Sequence, residues 1–143
     1  DLSIEHGLHW ESPTFAGEDR DYRKTYPYHM LSEHMRTHTH TQWSDCDYVK
    51  EYEPEPIVRL NPDDAAELGV AEGDILKLYN DCGFVVMKAN INAGVPRGMV
   101  TSARSWQADD FIDGHFASLP SREYNPMVAN HAFNDCAVAI EKM

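Results

Sequence analysis

The spacing of turn signals between residues 57 and 103 constrains the fold of this chain more than any other feature. Asn61 is placed to cap a helix with Pro62 in its first turn, and Gly69 is placed to end that helix. Gly73 follows within a tight turn, where a residue without a side chain can adopt a positive φ. The pattern therefore predicts one short helix enclosed between strands.

Short strands bounded by turn residues are predicted on both sides of this helix. The alternation of apolar and polar residues over 84–92 is typical of a strand with one buried face, and the turn at 80–83 makes it half of a hairpin. The predicted strands are 26–31, 57–60, 75–79, 84–92, 99–103 and 136–141, and the segments 32–43, 44–56 and 104–134 are expected to be connections. Many short strands with one short helix indicate a mainly β chain that closes into a small mixed barrel.

The charge balance excludes two classes of partner. The chain has 143 residues, which suits one domain, and it carries 12 Lys+Arg against 24 Asp+Glu, a net charge of −12. Such a surface repels phosphate backbones and anionic lipids, and no apolar run approaches the roughly 18 residues that cross a bilayer. We therefore expect neither nucleic-acid binding nor membrane insertion.

Cysteine, serine and glycine patterns exclude several common sites. Cys46, Cys82 and Cys136 form no CxxC pair, so a zinc or iron–sulfur site built on thiolates is not expected. The chain also lacks the G-x-S-x-G nucleophile motif and the G-x-G-x-x-G and G-x-x-x-x-G-K-[ST] phosphate-binding motifs. Asp63 and Asp64 are explained by their place at a helix N-terminus and need no acid–base role.

The densest polar cluster is the sequence SEHMRTHTHTQW, residues 32–43. Its arginine offers a planar fork for phosphate or carbonyl oxygens, and its histidines and threonines offer directional hydrogen bonds. A solvated polar loop would account for the same residues. His34, His38 and His40 could also surround a metal ion, although no acidic residue lies at a spacing that would complete such a site.

The order of these segments resembles one protein family. NPDDAAELGV, EGDILKLYNDCG and PRGMV, each next to a predicted strand, follow one another as in the C-terminal domain of molybdopterin oxidoreductases of the dimethyl sulfoxide reductase family. YPYHML before the polar cluster fits the same order, as do Gly114-His115, Asn125-Pro126 and Phe133-Asn134-Asp135 before the last strand. The likeness covers residues 26–143. It is nearest to the branch that contains nitrate, selenate and perchlorate reductases and dehydrogenases of hydrocarbons or dimethyl sulfide.

This resemblance implies a fold and a function. The fold is a double-psi β-barrel, similar to that of aspartate decarboxylase, over residues 26–143, and residues 1–25 are an arm from a preceding domain. The function is to close one side of a bis-molybdopterin guanine dinucleotide site in a molybdenum or tungsten oxidoreductase, with neither a metal ligand nor catalysis from this domain alone. The implied partners are an iron–sulfur electron-transfer subunit and the other domains of the parent catalytic subunit. The periplasm suits such a parent enzyme, with the cytoplasm as the alternative.

The resemblance also places cofactor contacts in two segments. The family has a short motif in which an arginine is followed by a histidine and a serine, and this motif can align with residues 36–39. Alternatively, the family's histidine-serine-glutamine motif aligns with residues 40–42, and both alignments stay open. Trp106 aligns with the tryptophan of a Gly-Trp dipeptide in the family. The side-chain amide of Asn125 can form hydrogen bonds with the amino and carbonyl groups on one edge of a pterin or guanine. The expected cofactor-binding residues are Ser32, His34, Arg36, His38, Thr39, His40, Thr41, Trp106, Gly114, His115 and Asn125. Arg36, His38, His40, Thr41 and Asn125 are expected to meet on one rim of the barrel.

Two other functions are found on the same kind of barrel. A pyruvoyl-dependent decarboxylase needs a Gly-Ser bond for self-cleavage, and the sequence contains no Gly-Ser dipeptide. A stand-alone barrel that binds a protein partner has no need of the polar cluster or of the Asn125-Pro126 segment, and another stand-alone form would hold a metal at His34, His38 and His40. We therefore predict a cofactor-binding domain, with the stand-alone module as the alternative. Because the chain does not begin with Met, we expect it to be a processed product or a piece of a longer protein.

Overall fold

A computed structural model describes residues 12–37, 39–122 and 130–143. The strands of this part are β1 (Tyr28–Glu33), β2 (Ile57–Leu60), β3 (Ile75–Asn80), β4 (Gly83–Ile91), β5 (Met99–Ala103), β6 (Asp113–Gly114) and β7 (Ala137–Lys142). Its helices are α1 (Tyr22–Thr25), α2 (Asp47–Tyr52) and α3 (Pro62–Leu68), with single 3₁₀ turns at Ala108–Asp110 and Phe116–Ser118. None of the described helices is long and apolar enough to span a membrane.

Six of these strands close into a barrel. They follow the order β2-β5-β1-β7-β3-β4, and a further pairing of β2 with β4 joins the two ends, while the short β6 pairs with β4 outside the ring. The pairs β1–β5 and β2–β4 are parallel and the other pairs are antiparallel. The small mixed barrel predicted from the sequence is confirmed, and its two parallel pairs agree with the double-psi form.

Alternate side chains of the strands fill the barrel. The innermost side chains are Met30, Val58, Leu60, Leu76, Leu78, Val85, Met87, Val100 and Val138, each at most 1% exposed. Full burial of an aliphatic side chain of this size contributes about 1.5–3 kcal/mol to stability relative to an exposed position. The packed interior makes the barrel a rigid support for the loops at its two ends.

The predicted helix begins and ends where its capping residues indicate. The side chain of Asn61 accepts a hydrogen bond from the backbone N–H of Asp63 at 2.9 Å, and Gly69 ends α3 with a φ of +65°. Gly73 has a φ of +81°, so the predicted left-handed turn is confirmed. Asp64 departs from the expectation of a simple helix-end charge: it is buried, because its carboxylate binds the turn that precedes β5.

Three expected connections contain regular structure. β1 continues beyond residue 31 because Ser32 and Glu33 pair with Ser102 and Ala103 of β5, a distant contact with no local signal. α2 lies within the expected connection 44–56, where its buried Val49 anchors it. The segment 104–122 contains β6 and both 3₁₀ turns, and the expected connections at these places were therefore wrong in part.

Candidate functional site

The strand directions bring three loops to one end of the barrel. β1 and β5 are parallel with Glu33 beside Ala103, so the loops that follow them leave the barrel at the same end. β7 is antiparallel to β1, and the chain therefore enters β7 at that end as well. The polar cluster after β1 thus lies beside residues that are far from it in sequence.

These loops line a cavity of about 650 Å³ that is open to solvent on one side. Its lining combines polar side chains from all three loops with apolar ones from the turn at Phe116–Ser118 and the segment before β7. The lining residues are His40, Thr41, Arg104, Phe116, Ala117, Pro120, His131 and Phe133. A volume of this size is within the range of small-molecule binding sites, which are typically apolar with a few placed polar groups.

The charge of the cavity is opposite to that of the chain. Although the chain carries a net charge of −12, the described lining contains Arg104 and two histidines and no carboxylate. The Nε of Arg104 and the Nδ1 of His131 are buried and have no hydrogen-bond partner among the described residues. Buried polar groups are normally paired, so the Nε–H of Arg104 indicates a ligand that accepts hydrogen bonds, whereas the Nδ1 of His131 donates or accepts according to its tautomer. The cavity favours a group with phosphate or carbonyl oxygens.

A contact between two loops positions the arginine of the cavity. The Nη2 of Arg104 lies 2.7 Å from the Nε2 of His34, and the ring of His34 meets the ring of His40 edge to face at 5.6 Å between centroids. His40 has a φ of +50° in a turn that the backbone hydrogen bond from Gln42 to Thr39 closes at 3.0 Å. The tight turn brings His40 into the lining of the cavity.

The segment before β7 is attached at two points. Asn134 accepts hydrogen bonds at its Oδ1 from the backbone N–H and the hydroxyl of Ser32, at 3.1 and 2.9 Å, and its carbonyl oxygen accepts one from the Nε2 of His29 at 2.8 Å. Asp135 accepts three from the successive backbone N–H groups of residues 14–16, at 2.7 to 3.0 Å. These bonds fix the wall that includes Phe133 and attach the N-terminal segment to it.

Part of the predicted site lies at the cavity. His40 and Thr41 line the cavity, and His34 contacts Arg104, which also lines it. Ser32 donates a hydrogen bond to Asn134 in the segment before β7. Thr39 closes the turn that carries His40. Arg36 is exposed and is not among the lining residues. His38 and Asn125 lie outside the described residues, so the meeting of all five rim residues stays a prediction.

The other predicted residues support the barrel from elsewhere. Trp106 is 3% exposed and packs in the core. Gly114 has a φ of +67°, and a Cβ atom there would lie 2.4 Å from the carbonyl oxygen of Phe84, so the close approach of two strands requires glycine. His115 accepts a hydrogen bond at Nδ1 from the N–H of Ala117 at 2.9 Å and so shapes a turn that lines the cavity. Direct contact of these three residues with a cofactor stays a prediction.

Sequence reasoning missed Arg104, His131 and the aromatic wall at Phe116 and Phe133. Arg104 lies beside the polar cluster because it directly follows β5, which is parallel to the strand that precedes the cluster. That pairing could not be derived from local sequence. Phe133 is part of the Phe133-Asn134-Asp135 segment of the family pattern and His131 lies two residues before it, so their place in or beside that segment is the signal that could have found them.

The metal alternative at His34, His38 and His40 is not tested, because His38 lies outside the described residues. The described residues contain no group of three or more His, Cys, Asp or Glu side chains arranged to hold a metal ion. The Nε2 of His34 faces the guanidinium of Arg104, and this positive charge opposes a divalent cation at the same place.

Comparison with known proteins identifies the relatives of the chain. Residues 28–137 match the family described as molydopterin dinucleotide binding domain. The chain is 32% identical over 127 residues to the catalytic component of a putative dimethyl sulfoxide reductase from Halobacterium salinarum, and the match covers 89% of this chain and 15% of that protein. It is 31% identical over 121 residues to the alpha chain of the respiratory nitrate reductase from Haloferax mediterranei, and the match covers 83% of this chain and 12% of that protein.

A solved structure has the same fold. Acetylene hydratase from Pelobacter acetylenicus superposes with a TM-score of 0.80 over 95% of this chain and 21% of that chain, at 14% sequence identity. The superposition is evidence for the fold alone. The chain spans only 15% and 12% of the two sequence relatives, so it corresponds to one domain of each.

Proposed function

The chain belongs to the molydopterin dinucleotide binding domain family of dimethyl sulfoxide reductase-type molybdoenzymes, and on that premise we propose that its basic cavity holds part of the cofactor inside a larger enzyme. The observation that carries the proposal is the set of donors at one barrel end, His40, Thr41, Arg104 and His131, in a lining without carboxylates among the described residues. When bound, the molybdenum or tungsten of the cofactor supplies two-electron redox chemistry.

The donor set fits the chemistry of this cofactor. A pterin dinucleotide presents phosphate and carbonyl oxygens, which accept hydrogen bonds, and Arg104 offers a planar cation with several N–H groups for them. The Nε of Arg104 and the Nδ1 of His131 are buried without a described partner, and polar groups of the cofactor would satisfy the arginine and accept from or donate to the imidazole. The aromatic side chains of Phe116 and Phe133 offer flat apolar surface beside these groups.

This chain would form one wall of the cofactor site. Its role is to bind and orient the cofactor, whereas the metal ligand and the catalysis belong to other domains of the parent enzyme. We propose a guanine dinucleotide form in a bis-pterin site, with an iron–sulfur subunit as a further partner. The domain would comprise residues 26–143, and residues 1–25 would be an arm whose segment 14–16 is attached to the barrel by Asp135.

The test uses the full-length enzyme that contains this domain. The Arg104→Gln variant and the double variant His40→Ala, Thr41→Ala are purified, and molybdenum and released guanine nucleotide are measured per protein. A hydrogen bond to a charged group contributes about 1.5–3 kcal/mol, so Arg104→Gln should weaken cofactor retention about tenfold or more. The double variant should also lower occupancy or shift the potential of the metal.

A matched control is available at the opposite end of the barrel. Arg97 lies in the turn before β5, where its Nε contacts Asp64 at 3.2 Å, so Arg97→Gln removes the same charge far from the cavity. Full cofactor content in this variant, together with its loss in Arg104→Gln, would support the proposal. Equal content in wild type, Arg104→Gln and the double variant would contradict it.

A further inference from the structure

We propose that His34, as a neutral imidazole protonated on Nδ1, is a positioning residue that orients Arg104 in the cavity without neutralising its charge. This inference rests on the proposed function, because it concerns the same cavity. It goes beyond that function by assigning to His34 an indirect role and a defined tautomer. The expectation from the sequence was direct contact between His34 and the cofactor.

The tautomer follows from the atoms in contact. The Nη2 of Arg104 and the Nε2 of His34 are 2.7 Å apart, a hydrogen-bond distance. A guanidinium has only donors, so the Nε2 of His34 must supply the lone pair and the ring proton must be on Nδ1. An imidazolium would present a donor and a second positive charge to Arg104 at the same place. The contact therefore requires the neutral ring.

No carboxylate among the described residues contacts the guanidinium of Arg104. Glu33, the residue before His34, is paired with Arg59, and His34 is the one partner that the described residues provide for the guanidinium of Arg104. The rings of His40 and His34 meet edge to face at 5.6 Å between centroids, and His40 contributes no negative charge. Arg104 is thus held by a neutral acceptor in a chain that has twice as many acidic as basic residues.

A neutral acceptor has a physical advantage for binding an anion. A carboxylate would also fix the guanidinium, but it would cancel the charge that attracts phosphate oxygens. The imidazole fixes one Nη2–H and leaves the net positive charge and the remaining N–H groups for a ligand. Because the guanidinium is planar, fixing one nitrogen also restricts the direction of the Nε–H, which is buried without a described partner.

Three substitutions at one position separate charge from hydrogen bonding. In the full-length enzyme, His34→Gln keeps a neutral acceptor, His34→Glu provides an anionic acceptor and His34→Leu provides none. Molybdenum and released guanine nucleotide per protein are measured after gel filtration, and thermal unfolding of each cofactor-free protein reports folding. We expect content near wild type for His34→Gln and about tenfold weaker retention for both His34→Leu and His34→Glu. A purely structural hydrogen bond would instead be maintained by glutamate as well as by glutamine.

A double-variant comparison tests whether His34 acts through Arg104. If it does, adding His34→Leu to Arg104→Gln should cause no further loss of cofactor, because the group to be oriented is already gone. Additive losses, or equal content in His34→Gln and His34→Leu, would overturn the inference. Unchanged content in Arg104→Gln, with loss in the His40→Ala, Thr41→Ala variant, would also overturn the inference, because Arg104 would then not hold the cofactor. Unchanged content in both of these variants would instead contradict the proposed function, so the two failures are distinguishable.

Discussion

The buried carboxylate of Asp64 accepts a hydrogen bond from the backbone N–H of Gly98 at 2.7 Å, and this bond joins the first turn of α3 to the turn that precedes β5. Arg97 adds a contact from its Nε to the same carboxylate at 3.2 Å. The pair lies at the barrel end opposite the cavity, because β5 begins there and ends beside Arg104. It therefore attaches α3 to the end of the barrel that lies away from the ligand loops.

Replacement of Asp64 by alanine should therefore destabilise the barrel without direct effect on the cavity. Removing the carboxylate leaves the N–H of Gly98 unpaired, and we expect the free energy of unfolding to fall by about 2 kcal/mol. The neighbouring Asp63 is exposed and provides the control, since Asp63→Ala should cost only about 0.5 kcal/mol through the helix dipole. Urea unfolding of both variants measures the difference, and equal midpoints would contradict the assigned role.

The positive φ of Gly73 predicts that the loss of stability on substitution depends on which residue replaces it. No atom lies within 4 Å of a Cβ built at this glycine, so an added Cβ causes no clash and the cost comes from the strain of the backbone. Gly73→Val should lower stability by about 1–3 kcal/mol, and Gly73→Asn by less, because asparagine tolerates this region better. Thermal unfolding of the two variants is the measurement. An unchanged melting temperature for the valine variant would refute the turn argument.

Asp74 predicts a pH dependence of stability with a definite sign. The Nζ of Lys142 lies 2.6 Å from its carboxylate and the N–H of Ala71 donates to it at 2.7 Å, and these bonds lower the pKa of Asp74 below the ordinary value of 3.8. The resulting stabilisation is present above the unfolded pKa and is lost as the pH falls through the lower folded pKa. Asp74→Asn should therefore lower the melting temperature at neutral pH.

The difference between wild type and Asp74→Asn should then decrease at pH values below 3.8. Melting temperatures of both proteins at a series of pH values from neutral to acid provide the test. A difference that stays constant down to the acid end would show that the carboxylate contributes through something other than its charge. Lys142→Met should reproduce the neutral-pH loss, because it removes the partner that has the largest effect on this pKa.

The chain of 143 residues alone should not hold the cofactor tightly. One wall leaves most of a large dinucleotide hydrated, and binding must offset several kcal/mol of lost translational and rotational freedom. The net charge of −12 also opposes phosphates, which leaves local donors such as Arg104 to attract them. Metal analysis after gel filtration is the check. Stoichiometric molybdenum or tungsten, or redox turnover by the chain alone, would mean that the domain is a complete site.

Several features could be predicted from the sequence because neighbours in the chain determine them. Asn61 and Gly69 define the ends of α3, since a capping residue acts on backbone groups within a few positions. The β3–β4 hairpin follows from turn residues between two apolar strands. The motif order then identified the family and the barrel, and the comparison with known proteins confirmed both.

The cavity depends on pairings between distant segments. Arg104 lies beside His34 because β1 and β5 are parallel neighbours, and His131 joins them because β7 runs antiparallel to β1. Neither pairing has a local signal, since many strand registers satisfy the same alternation of apolar residues. The sequence by itself determined the elements and the kinds of polar side chain available. Only the closed barrel decided which of those side chains meet, because burial of all six strands at once selects a single set of neighbours.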